Sequence, residues 1–128
     1  MSLRSLIVDD NGRFLAAARN LLEREGIEVV GVAATGTQAL QLANELRPDV
    51  ALVDIDLGDE SGFDVARQLV DTPGGGHVVL ISSYAERDFA ELIAASPAVG
   101  FLSKSDLSAR SINELLERTK EEGQPGPG

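Results

Sequence analysis

The sequence predicts an α/β fold, five parallel strands in one sheet with helices covering both faces. Three observations carry that expectation. Short runs rich in Val, Ile and Leu recur along the chain, stretches with apolar residues at helical spacing separate them, and Gly or Pro stands at several junctions. Leu6-Ile7-Val8 is the first strand, followed by a helix whose buried face carries Phe14, Ala18, Leu21 and Leu22. Gly26 stops that helix before a second strand, Ile27 to Val32, and Ala39, Leu40, Ala43 and Leu46 line the next helix up to Pro48. The third strand, Val50-Ala51-Leu52-Val53, ends at Asp54, and a third helix runs from Gly62 to Val70. Pro73-Gly74-Gly75-Gly76 breaks it ahead of Val78-Val79-Leu80-Ile81, a fourth strand that ends at Ser82. A helix near Glu86 to Ala95 precedes a fifth strand, Val99 to Leu102. Ser105-Asp106-Leu107 then opens a last helix with Ile112, Leu115, Leu116 and Thr119 on one face. Residues 1–122 form one domain on this reading, and residues 123–128 are a disordered tail or the start of a linker.

Strict strand–helix alternation with right-handed crossovers restricts the order of the strands. The flavodoxin-like order 2-1-3-4-5, a three-layer sandwich, fits the pattern and opens a crevice at the carboxyl ends of strands one and three. Asp9 and Asp10 stand at one of those ends and Asp54 at the other. Two like charges about 4 Å apart repel by roughly 4 kcal/mol at an effective dielectric near 20, so the cluster calls for a hard divalent cation with oxygen ligands. Topology also brings Ser82 and Lys104 to this edge. Together they form a phosphate-handling constellation. Asp54 can act as a carboxylate nucleophile, the metal and Lys104 can balance charge, and Ser82 can hydrogen-bond the transferred group.

Bulk properties narrow the class. The chain has 128 residues, the size of one domain, with 43% apolar and 25% charged residues. No apolar run approaches the roughly 18 residues that cross a bilayer, and no signal-peptide pattern opens the chain, so a cytoplasmic location with no membrane contact is expected. The absence of cysteine excludes thiol chemistry, and a single histidine, His77, excludes a His-rich metal site. A net charge of −10 argues against direct nucleic-acid binding by this domain.

Asp9-Asp10 after strand one, Asp54 after strand three with Gly62 eight residues on, Ser82 after strand four, and Gly100-Phe101-Leu102-Ser103-Lys104 around strand five together resemble the receiver domain of two-component response regulators over essentially the whole chain. The resemblance implies that Asp54 is the phosphoacceptor and that Mg²⁺ is held by Asp9, Asp10 and Asp54, with Asp56 contributing its backbone carbonyl. It further implies that Lys104 contacts the phosphoryl group, and that Ser82 and Phe101 are the hydroxyl and aromatic switch positions. A sensor histidine kinase or a phosphotransfer protein would be the donor. The surface of helix four, strand five and helix five would change on phosphorylation, with a homodimer or a transcriptional output domain as possible readouts. Such a domain catalyses only its own phosphorylation and dephosphorylation, and is not otherwise an enzyme. Two departures stand out. Gly58 replaces a common proline, which predicts a more mobile loop from Asp54 to Gly62. Ser105 follows Lys104 where a cis-proline is common, and this predicts a trans bond.

Other readings compete. Asp9, Asp10 and Asn11 could simply cap the first helix, and Ala34-Thr35-Gly36-Thr37, similar to a flavin phosphate loop but placed after strand two rather than strand one, reads better as a helix-capping turn. His77 reads as the polar start of strand four. Val53-Asp54-Ile55-Asp56-Leu57 is similar to the Asp-x-Asp motif of haloacid-dehalogenase-type phosphatases, but 53 residues precede Asp54, and the other acidic pair comes before it rather than after. A receiver-like module that binds partners without phosphate is the remaining alternative.

Overall fold

A computed structural model of the chain describes residues 3–74 and 76–123, the last four by backbone alone. The sheet strands are β1 (Arg4–Val8), β2 (Glu28–Ala33), β3 (Val50–Asp54), β4 (His77–Ser82) and β5 (Gly100–Ser103). Between them run α1 (Gly12–Arg24), α2 (Gly36–Leu46), α3 (Gly62–Asp71) and α4 (Ala90–Ala95), and α5 (Ala109–Gly123) follows the last strand. The strands lie in the order β2-β1-β3-β4-β5, and every pairing is parallel. This is the flavodoxin-like order expected from the alternation. Residues 124–128, assigned to the tail, lie outside the described residues.

Both faces of the sheet are covered, which is why its central strands carry unbroken apolar runs, Leu6-Ile7-Val8, Val50-Ala51-Leu52-Val53 and Val78-Val79-Leu80-Ile81, rather than apolar residues at every second position. Alternate side chains of each strand enter opposite layers. Leu6, Val8, Ala51, Val53, Val78 and Leu80 pack with Ala39 and Ala43 of α2 and with Val65, Ala66 and Leu69 of α3. Ile7, Val50, Leu52, Val79 and Ile81 pack on the other side with Ala18 and Leu22 of α1 and Ile112 of α5. Leu52 is fully buried, and truncating it to Ala would cost about 2–5 kcal/mol. The core thus fixes the sheet, and the sheet fixes which strand ends meet.

Several local details differ from the sequence-based expectation. β2 extends to Ala33, and its pairing with β1 slips between Ser5 and Leu6, so that Val29 and Gly31 oppose them in succession. The helix expected from Glu86 to Ala95 divides into a 3-10 turn, Glu86–Phe89, and the six-residue α4. The turn starts at Ala85, whose methyl side chain cannot cap it and whose carbonyl accepts an i+3 bond from Asp88 N–H at 3.1 Å. The last helix begins at Ala109 rather than at Ser105. Lys104–Asp106 form a 3-10 turn instead, because Ser108 and Ser111 exchange backbone-to-hydroxyl bonds of 3.0 Å each and Glu25 Oε1 takes the Ala109 N–H at 2.7 Å. All peptide bonds among the described residues are trans, as expected after Lys104.

The loop between Asp54 and Gly62 is tied down rather than slack. Asp56–Leu57 and Glu60–Ser61 pair as a short antiparallel ribbon around Gly58, whose φ of +72° proline cannot adopt. Glu60 Oε2 reaches across to accept the Gly36 N–H at 3.0 Å, at the amino end of α2. Gly62 then turns against Asp54, where an added Cβ would collide with the Asp54 carbonyl and with Ile55.

Candidate functional site

Parallel pairing of β1 with β3 sets Val8 against Val53, so the next residues, Asp9 and Asp54, emerge side by side at the carboxyl edge. Asp9 is fully buried, Asp54 is 6% exposed and Asp10 faces solvent. One carboxylate oxygen from each lies within 4.8 Å of the others. The helix-cap reading of the acidic pair is resolved by Asn11. Its Oδ1 accepts from Arg13 N–H at 3.0 Å and Phe14 N–H at 3.2 Å, so the capping role falls to Asn11 and Asp10 is left over for the crevice.

Lys104 completes the cluster from the end of β5. Its Nζ lies 2.7 Å from Asp9 Oδ2 and 3.2 Å from Asp54 Oδ2, with its side chain only 16% exposed. The approach to Asp9 is close but not aligned as a hydrogen bond, so the buried Oδ2 has a cation beside it and no donor aimed at it. The other oxygens are held by backbone: Asn11 N–H donates to Asp9 Oδ1 at 2.8 Å, and Asp56 N–H to Asp54 Oδ1 at 3.1 Å. A buried carboxylate oxygen without an aligned donor, beside two more carboxylates, is a donor set that suits a hard divalent cation. The residues present therefore fit such a metal.

Electrostatics follow from this crowding. Burial pushes the Asp54 carboxyl above its ordinary value, and the Asp9 charge pushes it further, while the Asp56 N–H and Lys104 pull back without cancelling the rise. Burial alone would lower Lys104. Contact with Asp9 and Asp54 outweighs that and leaves the ammonium raised above its usual range. The lysine is thus held as a cation beside two carboxylates, and burial more than repulsion accounts for the rise at Asp54.

The remaining sequence-predicted residues surround this centre. Ser82 closes β4 one residue beyond Ile81, the partner of Asp54, and its buried hydroxyl accepts the Tyr84 N–H at 2.9 Å. Phe101, half-buried and in register with Leu80, packs into the layer of α2 and α3. Asp56 is exposed on the ribbon, its Oδ1 accepting from Gly58 N–H at 3.3 Å. Thr35 caps α2 through a 3.2 Å bond from Gln38 N–H, and His77 is the exposed first residue of β4. A spacious groove of about 1120 Å³ opens at the opposite, amino edge of the sheet, lined by Arg4, Asp49 and His77 among others, so the carboxylate cluster does not sit in it. One contact escaped the sequence. Phe14, read there as a core residue, also lies under the Lys104 ammonium, 4.3 Å from Nζ to the ring centre.

Comparison with known proteins agrees with this geometry. The response regulator receiver domain model matches residues 5–118. The DNA-binding transcriptional activator EvgA of Escherichia coli K12 is 29% identical over 118 residues, covering 92% of this chain and 57% of EvgA. The chain thus spans about half the length of the curated relatives it matches. The signal receiver domain of a modulated diguanylate cyclase from Desulfovibrio desulfuricans G20 superposes with a TM-score of 0.80 at 31% identity, over 95% of this chain and 99% of that one. A response regulator from Burkholderia pseudomallei, solved with a phosphorylated aspartic acid, calcium ion and citrate, gives 0.75 at 27% identity over 98% of this chain and 76% of its own. With the carboxylate cluster at the switch point of a five-stranded parallel sheet and the family model matched from β1 into α5, this chain belongs to the response regulator receiver domains.

Proposed function

We propose that the domain is a phosphorylation-activated switch in which Asp54 accepts a phosphoryl group from a sensor histidine kinase, a phosphotransfer protein or a small phosphodonor. The observation that supports this most directly is the single crevice in which Asp54 stands with Asp9 and Asp10, the Lys104 ammonium lying against both Asp9 and Asp54. An Asp54 carboxylate oxygen attacks phosphorus, the bond from phosphorus to the donor nitrogen or oxygen breaks, and the leaving group departs with that electron pair. Asp56 N–H fixes the orientation of the attacking carboxylate, and Lys104 is placed to take up charge on the new phosphoryl oxygens. Asp9, Asp10, Asp54 and the Asp56 carbonyl would hold Mg²⁺, which neutralises charge on the transferring group when bound.

The readout passes through Ser82 and Phe101. A Ser82 hydroxyl that turns toward the phosphoryl group must give up the Tyr84 N–H, which releases the loop ahead of α4, and Phe101 repacks behind it. Phosphorylation then biases two conformations by its different affinity for them, and the surface of α4, β5 and α5 carries the result. By analogy with EvgA, whose matched region is about half of that protein, the output is transcriptional control through another domain in a cytoplasmic regulator, with pairing of two copies on activation. The reading predicts a phosphate-sized mass gain after incubation with acetyl phosphate and Mg²⁺, absent in Asp54→Asn and after chelation. No gain under these conditions in a folded chain would favour a phosphate-independent interaction module.

A further inference from the structure

We propose that Phe14 is a positioning residue for Lys104, an inference that rests on the phosphoryl-contacting role given to that lysine above. The ammonium has three close neighbours. Asp54 Oδ2 accepts its hydrogen bond at 3.2 Å, Asp9 Oδ2 lies 2.7 Å away as an ion pair, and the Phe14 ring is centred 4.3 Å from Nζ. A ring face attracts a cation through its quadrupole, most strongly where water is excluded, and the Lys104 side chain is only 16% exposed.

The ring is held independently of the lysine. Phe14 lies in the first turn of α1, where its N–H donates to the Asn11 cap at 3.2 Å, and its side chain packs against the layer containing Ile7, Ala18 and Leu22. Lys104, by contrast, is a flexible four-carbon stem on a 3-10 turn. The two carboxylates cannot hold it alone in every state. Asp9 belongs to the carboxylate set that suits a divalent cation, so the lysine shares the Asp9 carboxylate with any metal held there. Phe14 is the partner that makes no such demand. It keeps the ammonium beside Asp54 when Asp9 is otherwise engaged.

Ammonium hydrogen exchange tests this without phosphate or metal, and the chain has only two lysines, Lys104 and Lys120, so the spectrum is readily assigned. In Phe14→Leu the Lys104 ammonium protons should exchange about three- to tenfold faster than in the parent, with Phe14→Tyr restoring slow exchange because it restores the ring. Phe14→Met serves as a second non-aromatic variant if Leu impairs folding, which far-ultraviolet circular dichroism reports. Phosphoryl transfer from acetyl phosphate should slow by a similar factor in Leu or Met and recover in Tyr. Equal exchange in parent, Leu, Met and Tyr variants would overturn the proposal. A parent chain that takes up no phosphoryl group would sink the functional reading instead, and the exchange comparison would still decide on Phe14.

Discussion

Lys104→Met removes the ammonium while keeping much of the side-chain volume, and so isolates the electrostatic role of this residue. At 2.7 and 3.2 Å, each attraction is on the order of 5 to 6 kcal/mol at an effective dielectric near 20, before desolvation is subtracted. Removing one member of a buried ion cluster typically costs about 3–5 kcal/mol, because the charges left behind have no partner. Asp9 and Asp54 would then repel each other, and the least costly relief is protonation of Asp54, whose carboxyl burial already raises. A carboxyl raised in the fold binds protons more readily than in the unfolded chain, so stability falls as pH rises through its window. The variant should therefore lose about 3 kcal/mol in urea unfolding at about pH 7.5, and clearly less at about pH 5. Millimolar Mg²⁺ should stabilise the variant more than the parent, since Asp9 Oδ2 is then free of its competitor. Parental stability of the variant at neutral pH, or a deficit that does not shrink on acidification, would refute the electrostatic reasoning.

Further predictions follow the same geometry. Asp54→Asn should flatten the fall in metal-free stability that the parent shows as pH rises above the ordinary carboxylate range, and an unchanged pH profile in urea unfolding would count against the raised Asp54 carboxyl. On the alkaline side, Lys104 has a raised ammonium, so its stabilisation is present at neutral pH and should disappear as pH climbs through that raised value, a loss that Lys104→Met should not show. Gly62→Ala should destabilise the fold by about 2 kcal/mol or more, because its Cβ would strike the Asp54 carbonyl, and a neutral effect in thermal unfolding would mean that the turn can move away. Tyr84 is the only tyrosine in a chain without tryptophan, so its fluorescence reports the loop beside Ser82 directly. It should change on phosphorylation, and the change should be lost in Ser82→Ala.

The sequence made the carboxyl edge of the sheet legible because three of its strands are apolar runs that end abruptly in Asp9, Asp54 or Ser82. A parallel sheet buried on both faces leaves few arrangements of such runs. What stayed hidden depends on side-chain rotation and long-range contact. The sequence could not assign the cap of α1 among Asp9, Asp10 and Asn11, and that choice decides which acid faces the crevice and where the Phe14 ring points. Glu60 meets the Gly36 amide across 24 residues of chain, a contact without a local signature, so the Asp54 to Gly62 loop read as mobile when it is anchored. The start of α5 was misplaced because Ser105 and Ser108 are equally good cap residues in isolation. Only the reciprocal bonds of Ser108 with Ser111, and the reach of Glu25, select the second.

Asp54, and no other carboxylate of the cluster, is expected to take the phosphoryl group. Borohydride reduction after acetyl phosphate and Mg²⁺ treatment converts an aspartyl phosphate to homoserine, which peptide mass spectrometry locates by residue. Homoserine is expected at position 54 alone, dependent on Mg²⁺. Homoserine at Asp9, Asp10 or Asp56 with Asp54 intact, or none at all in the folded chain, would contradict it.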